Sequence, residues 1–294
     1  MAIKFTIQRQ DRTFSAQADG GSSFFIGLQT RYFDKSAQQW FEGLYNVPNK
    51  KLPPLRYQPE DIRETEGFWA DLVWPTAQCE GGNYLTLNTY DRARFTWGFG
   101  QFAAHVPDGD FVRFFRDVIS KPAASSYFPD LALHNGRIAK ETNGTPRLLE
   151  TAETTGPLLD YLNPSTTAVE DPEVIAAARL IHWTTTDPDM RRLQARHMTE
   201  TFRRLMREAD KRLDLDGRSA DICCVICDIR HQGRARYTSM QSALASANPL
   251  SSLLKLGEIS YPDRIRVLKK SLEAKQDLFR GHVWNRASGR FVTA

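Results

Sequence analysis

The chain has little of what usually holds a small secreted protein together. Its four cysteines stand at positions 79, 223, 224 and 227; three of them lie within five residues, which excludes a long-range disulfide framework and points to free thiols in a reducing compartment. No apolar run is long enough to span a membrane. The first ten residues, Met-Ala-Ile-Lys-Phe-Thr-Ile-Gln-Arg-Gln, lack the apolar stretch of a secretory signal, so synthesis and folding in the cytoplasm are expected, with any substrate outside reached after release or export by another system. A strong excess of one charge is missing too. The formal net charge is only +4, too small for a dedicated nucleic-acid binder but enough to favour an anionic polymer over a cationic one. Neither internal repeats nor low-complexity segments occur.

What is present is ordinary globular composition: 294 residues, 41% hydrophobic and 25% charged, enough to bury a core without metals or disulfides. Residues 1–58 stand apart as an N-terminal extension or accessory unit. Ile3 to Gln8 alternate as a strand does, Gly20-Gly21-Ser22-Ser23 marks a loop, and Asn49-Lys50-Lys51-Leu52-Pro53-Pro54 resembles a linker. From Pro59 the pattern turns helical, with Ile62, Phe68, Trp69, Leu72 and Val73 forming an apolar stripe that ends near Glu80-Gly81-Gly82, unless Pro75 kinks or stops it a turn earlier. Residues 84–90 favour a strand, Asp91-Arg92-Ala93-Arg94 supplies a turn, and Phe95 to Phe99 returns, a small hairpin.

The remainder reads as helices joined by loops. Helices are expected over Asp110 to Ser120, from Asp171-Pro172 through Trp183, from Asp187-Pro188 through Leu213, across the apolar run Ala220 to Ile229, and from Tyr261-Pro262 to about Phe279. Between Ser120 and about Asp160 the pattern is looser. Cys224-x-x-Cys227-x-x-x-His231 has spacing that suggests zinc, but all these groups would lie on one helix, whereas structural sites draw on separated pairs; core thiols without metal are expected.

The segment between Glu80 and Gln101 carries the chemistry. Glu80 stands at a helix-stopping glycine pair, with Asp91 and Thr96 following across the hairpin, and Gly98-Phe99-Gly100-Gln101 closing it. Glycosidic hydrolysis needs two carboxyl groups, one to protonate the leaving oxygen and one to handle the attacking water. A Glu at the negative end of a helix dipole is disposed to hold its proton, while an Asp on a solvated hairpin gives its own up, and that split assigns acid and base. The segment resembles the catalytic region of the lysozyme superfamily, phage-type lysozymes and bacterial chitosanases in particular: Glu at a helix end, a short hairpin, Asp, then Thr-x-Gly. The five-residue step from Asp91 to Thr96 is the chitosanase arrangement, whereas the step from Glu80 to Asp91 is nearer the phage enzymes.

The resemblance implies a mainly α (α+β), lysozyme-like fold over residues 59–294, with a small β hairpin lobe packed on a helical body. It also implies Glu80 as general acid, Asp91 as general base or electrostatic partner, Thr96 as the hydroxyl that places the water, an inverting outcome and no cofactor. Tyr90 and Trp97 flank these residues as sugar-stacking platforms or as core. Gln101 follows them, and His231 and Gln232, in a segment similar to the Gln-x-Gly wall of those clefts, contact sugar or simply cap a helix at Gly233. The expected partner is a polysaccharide, peptidoglycan before chitosan, because a basic chain repels polycationic chitosan. Two rivals stay open: a non-catalytic glycan-binding or structural protein of a phage or secretion apparatus, and a nucleic-acid module using the helix of Arg191, Arg192, Arg196, Arg203, Arg204, Arg207 and Arg212. The oligomeric state is not encoded in any motif.

Overall fold

A computed structural model describes residues 1–47, 49–142 and 144–294 and divides the chain into two compact units. One comprises Met1–Arg56 and Asn83–Gln194, the other Tyr57–Gly82 and Ala195–Ala294. The expected lysozyme-like arrangement, a helical body with a small hairpin lobe, is not what forms. The first unit is built on a seven-stranded antiparallel sheet in sequential order: β1 (Phe5–Gln10), β2 (Thr13–Ala18), β3 (Phe24–Asp34), β4 (Gln39–Tyr45), β5 (Leu87–Asn88), β6 (Thr96–Trp97) and β7 (Phe102–Ala103). The physical reason lies in the hairpin itself. Strands of two residues cannot form an independent lobe; here β5 instead adds to the edge of β4 through Tyr45 and Asn88, and β6 and β7 follow.

Gly43 of β4 makes the junction between the long and short strands feasible. A Cβ there would lie 2.6 Å from the carbonyl oxygen of Thr89, so the main chain after Asn88 crosses β4 at a distance only glycine allows. The helix Asp171–Thr186 covers one side of the sheet, burying Val174, Ala177, Ala178 and Ile181. A second helix, Asp110–Ser120, forms where expected and inserts a phenylalanine ladder. Phe111 meets Phe95 at 5.8 Å between ring centroids and Phe114 meets Phe102 at 5.9 Å. The looser stretch after it contains a three-stranded sheet, Leu131–His134, Arg137–Thr142 and Thr145–Leu148, the first two strands joined by Asn135-Gly136, both with positive φ.

In the second unit the expected helix from Pro59 is interrupted. Gly67, at φ +61°, ends the short turn Arg63–Glu66, and the helix proper is Phe68–Cys79, which runs through Pro75. It packs against Ala220–Gln232 and Pro262–Ala274. The chain closes with a hairpin, His282–Asn285 and Arg290–Thr293, that sets Trp284 and Phe291 against Trp69 at 6.0 and 5.3 Å. Among the described residues no helix is long and apolar enough to cross a membrane.

One buried carboxyl lies under the sheet. Glu173, on the Asp171–Thr186 helix, is fully buried, and its Oε1 accepts a hydrogen bond from the Thr89 hydroxyl while Oε2 has no partner among the described residues. Burial pushes its pKa from 4.5 up to about 8, with the Thr89 contact opposing the shift. An unfolded chain therefore releases this proton before the folded one does, and stability falls as pH rises from about 4.5 to about 8 and then levels. Glu173→Gln removes that slope; denaturation midpoints taken at pH 5 and pH 9 converge, where the parent protein loses about 2–4 kcal/mol across the same interval.

Candidate functional site

Glu80 occupies the C-cap of the Phe68–Cys79 helix, with the chain turned away by Gly81 and Gly82, at φ +81° and +66°. Its Oε1 accepts a hydrogen bond from Nη1 of Arg264, at the start of the Pro262–Ala274 helix. Oε2 accepts none from any described residue, and the side chain is 18% exposed.

Behind this pair runs a buried chain of charge. Arg264 Nη2 donates to Asp228 Oδ1 at 2.7 Å, Arg234 Nη1 donates to Asp228 Oδ2 at 2.6 Å, and the Thr76 hydroxyl donates to Oδ1 at 2.9 Å. The side chains of Asp228 and Arg234 are wholly buried and Arg264 nearly so. Burial alone would raise the Asp228 pKa, but the two guanidiniums outweigh it and hold the carboxyl below its ordinary value. Arg264, in turn, is drained by burial yet held above its usual pKa by Asp228 and Glu80. Cys79, beside the pair with its thiol toward the Arg264 carbonyl, is pushed up to about 12 by burial and the nearby Asp228 charge, so it is no nucleophile at neutral pH.

Gln232 belongs to this network, its Oε1 accepting from Arg234 Nη1 at 3.0 Å, which makes it a brace for the relay. His231 is half-buried, its ring 6.2 Å from Phe202, just before Gly233 caps the helix in the left-handed conformation at φ +75°. Cys223, Cys224 and Cys227 are fully buried free thiols, driven far from ionisation by burial. No group of three or more metal-binding side chains exists among the described residues.

The remaining candidates belong to the other unit. Asp91 folds back on its own turn: Oδ1 accepts from the Ala93 N–H at 2.9 Å and Oδ2 from Asn88 Nδ2 at 3.0 Å, an Asx turn that orients the carboxylate. Arg94 follows at φ +56° and its side chain donates to the Asn163 carbonyl. Thr96 is buried in β6, opposite Asn88. Tyr90 is half-buried, with burial and the adjacent Asp91 charge raising its hydroxyl pKa. Trp97 is fully buried, which places its ring in the core and away from any sugar. Gln101, at φ +50°, closes the turn by donating its N–H to the Gly98 carbonyl at 3.0 Å.

The structure thus groups Glu80 and Gln232 with Arg264, Asp228, Arg234 and Thr76, and groups Asp91 with Asn88, Tyr90 and Thr96. Sequence reasoning missed Arg264, which lies 184 residues from Glu80 and carries no local signal. Two further carboxylates of this unit are tied down, Glu66 by Arg203 at 2.8 Å and Asp71 by Arg63 at 2.9 Å and Lys275 at 2.8 Å. Comparison with protein-family models, curated proteins and solved structures finds no match for this chain.

Among the described residues, Asp228 and Glu80 are the carboxylates that the two buried guanidiniums meet. Replacing Asp228 with alanine leaves Arg234 buried without a counter-charge and Arg264 with Glu80 alone, and Asp228→Ala is expected to lower unfolding free energy by about 3–5 kcal/mol in a urea titration. Exposed pairs such as Arg266–Asp263 should cost less than ~1 kcal/mol when broken.

Proposed function

We propose that this protein is a glycoside hydrolase that cleaves a β-1,4-linked amino-sugar polymer, peptidoglycan in preference to chitosan, by inverting acid/base hydrolysis. The observation that supports this reading most is the carboxyl group of Glu80, held at one oxygen by a guanidinium that a buried Asp228–Arg234 pair fixes from behind. Burying three charges costs solvation free energy, and beyond fixing the helices the chain of charge leads out to a carboxylate that is 18% exposed. It serves catalysis well. With Oε1 tied to Arg264, the plane of the carboxyl is set and Oε2 is the atom left to face the glycosidic oxygen. Proton transfer from Glu80, in its assigned role of general acid, to that oxygen breaks the bond to the anomeric carbon, and Arg264 then stabilises the carboxylate left behind.

Asp91 and Thr96 are assigned the roles the lysozyme and chitosanase resemblance implies, base and water-placing hydroxyl. In that scheme Asp91 takes a proton from the water that attacks the anomeric carbon, so the hydroxyl product has inverted configuration. The Asx turn around Asp91 supports the assignment, because an acceptor fixed by two hydrogen bonds needs no reorganisation. Net positive charge favours peptidoglycan, whose stem peptides carry carboxylates. A second reading draws on the same ion pair: if the Glu80–Arg264 contact is purely structural, the chain binds glycan without cutting it.

Turnover of purified peptidoglycan separates the two. Glu80→Gln should lower kcat by roughly 100-fold or more with an unchanged melting temperature, and Asp91→Asn should do likewise. NMR of the first-formed product should show the inverted anomer. Full hydrolysis by Glu80→Gln sinks the assignment, and binding of the parent protein with no turnover favours the second reading.

A further inference from the structure

The register of β3 and β4 sorts their aromatic side chains between two faces. Tyr32 pairs with Phe41 and Phe33 with Trp40, so Tyr32 and Trp40 project from opposite sides of the sheet. Leu28 pairs with Tyr45, which puts Tyr45 on the Tyr32 side, and Tyr45 pairs with Asn88, which adds Asn88 to that side. Tyr90 lies between the two tyrosines, its ring centroid 6.2 Å from Tyr32 and 6.3 Å from Tyr45, edge-on to both. Tyr32 is 45% exposed and the other two are half-buried.

We propose that this face of the sheet, carrying Tyr32, Tyr45 and Tyr90, is a shelf that grips the sugar chain of peptidoglycan by stacking. A β-linked pyranose presents an apolar C–H face and a rim of hydroxyls. The shelf offers the complement: three rings, each ending in a hydroxyl, with the Asn88 amide and the Asp91 carboxylate at one border and the Asp34–Arg92 ion pair at another. A lipid or a protein partner would call for aliphatic surface, and among the described residues the strongly exposed apolar side chain on this face is a tyrosine, Tyr32. The support is rigid. Directly beneath, the Thr89 hydroxyl bonds Glu173 and accepts the Leu44 N–H at 2.6 Å, while the Thr89 carbonyl accepts from Asn163 Nδ2 at 3.2 Å. Pre-positioned tyrosines lose little conformational freedom on binding. The identity of the glycan rests on the hydrolase reading, whereas the stacking geometry does not.

Binding is measured by co-sedimentation of the full chain, carrying Glu80→Gln so that no substrate is consumed, with purified insoluble peptidoglycan. Adding Tyr32→Ala should weaken binding by about fivefold or more, while Tyr32→Trp should retain it. Trp40→Ala, on the opposite face and 54% exposed, should leave the dissociation constant within about twofold. The shelf is overturned if the Tyr32→Ala protein binds as tightly as its parent, if Trp40→Ala costs as much, or if the parent does not bind. Hydrolysis by the wild-type chain is scored separately: cleavage that ignores Tyr32→Ala removes the shelf alone, and Tyr32-dependent binding with no cleavage removes the hydrolase and keeps the shelf.

Discussion

Asp228 is the constraint on which the second unit depends. A carboxylate with no exposed surface is tolerable only if its charge is matched, and here two guanidiniums and a hydroxyl share it. Each donor comes from a different stretch of chain. Thr76 belongs to the Phe68–Cys79 helix, Arg234 follows the Ala220–Gln232 helix, and Arg264 opens the Pro262–Ala274 helix. One buried anion therefore sets the registration of three helices that hydrophobic packing alone would let slide, because apolar contacts are non-directional whereas these hydrogen bonds are not.

Thr89 has the corresponding place in the first unit. It is buried between two outward-facing residues, Asn88 and Tyr90, and its hydroxyl links the edge of β4 to Glu173 on the covering helix. The Asn163 side chain bonds both the Thr89 and Arg94 carbonyls, spanning the turn that carries Asp91. A hairpin whose strands are two residues long would fray by itself; these contacts from the non-adjacent helix and loop hold it in one conformation.

Local signals were legible in the sequence wherever a single element decides its own shape. Asp110–Ser120 forms at the expected bounds, and the helix after Asp187-Pro188 runs to Leu213, because helical periodicity is clear in both and Pro188 opens the second. The Gly81-Gly82 stop and the Gly233 cap hold too, each at positive φ. What failed was assembly. Nothing local says that strands of two residues will join the edge of a sheet whose last long strand ends at Tyr45, and the lysozyme-like body went wrong at that step. The Asn135-Gly136 turn was present in the sequence but passed over, since its flanking strands alternate only weakly. Arg264 and Asp228 were invisible for the opposite reason: a buried ion pair between distant positions leaves no periodicity to find.

The direction of the Arg264 fork decides what Glu80 can do. A guanidinium facing a carboxylate squarely would bond both oxygens and leave neither for chemistry. Here the edge bearing Nε and Nη2 faces Asp228, at 3.5 and 2.7 Å, so Nη1 alone is left for Glu80. The buried aspartate thereby does two things at once. It neutralises the arginine, and it turns it so that one oxygen of the outer carboxyl is held while the other takes no hydrogen bond from any described residue.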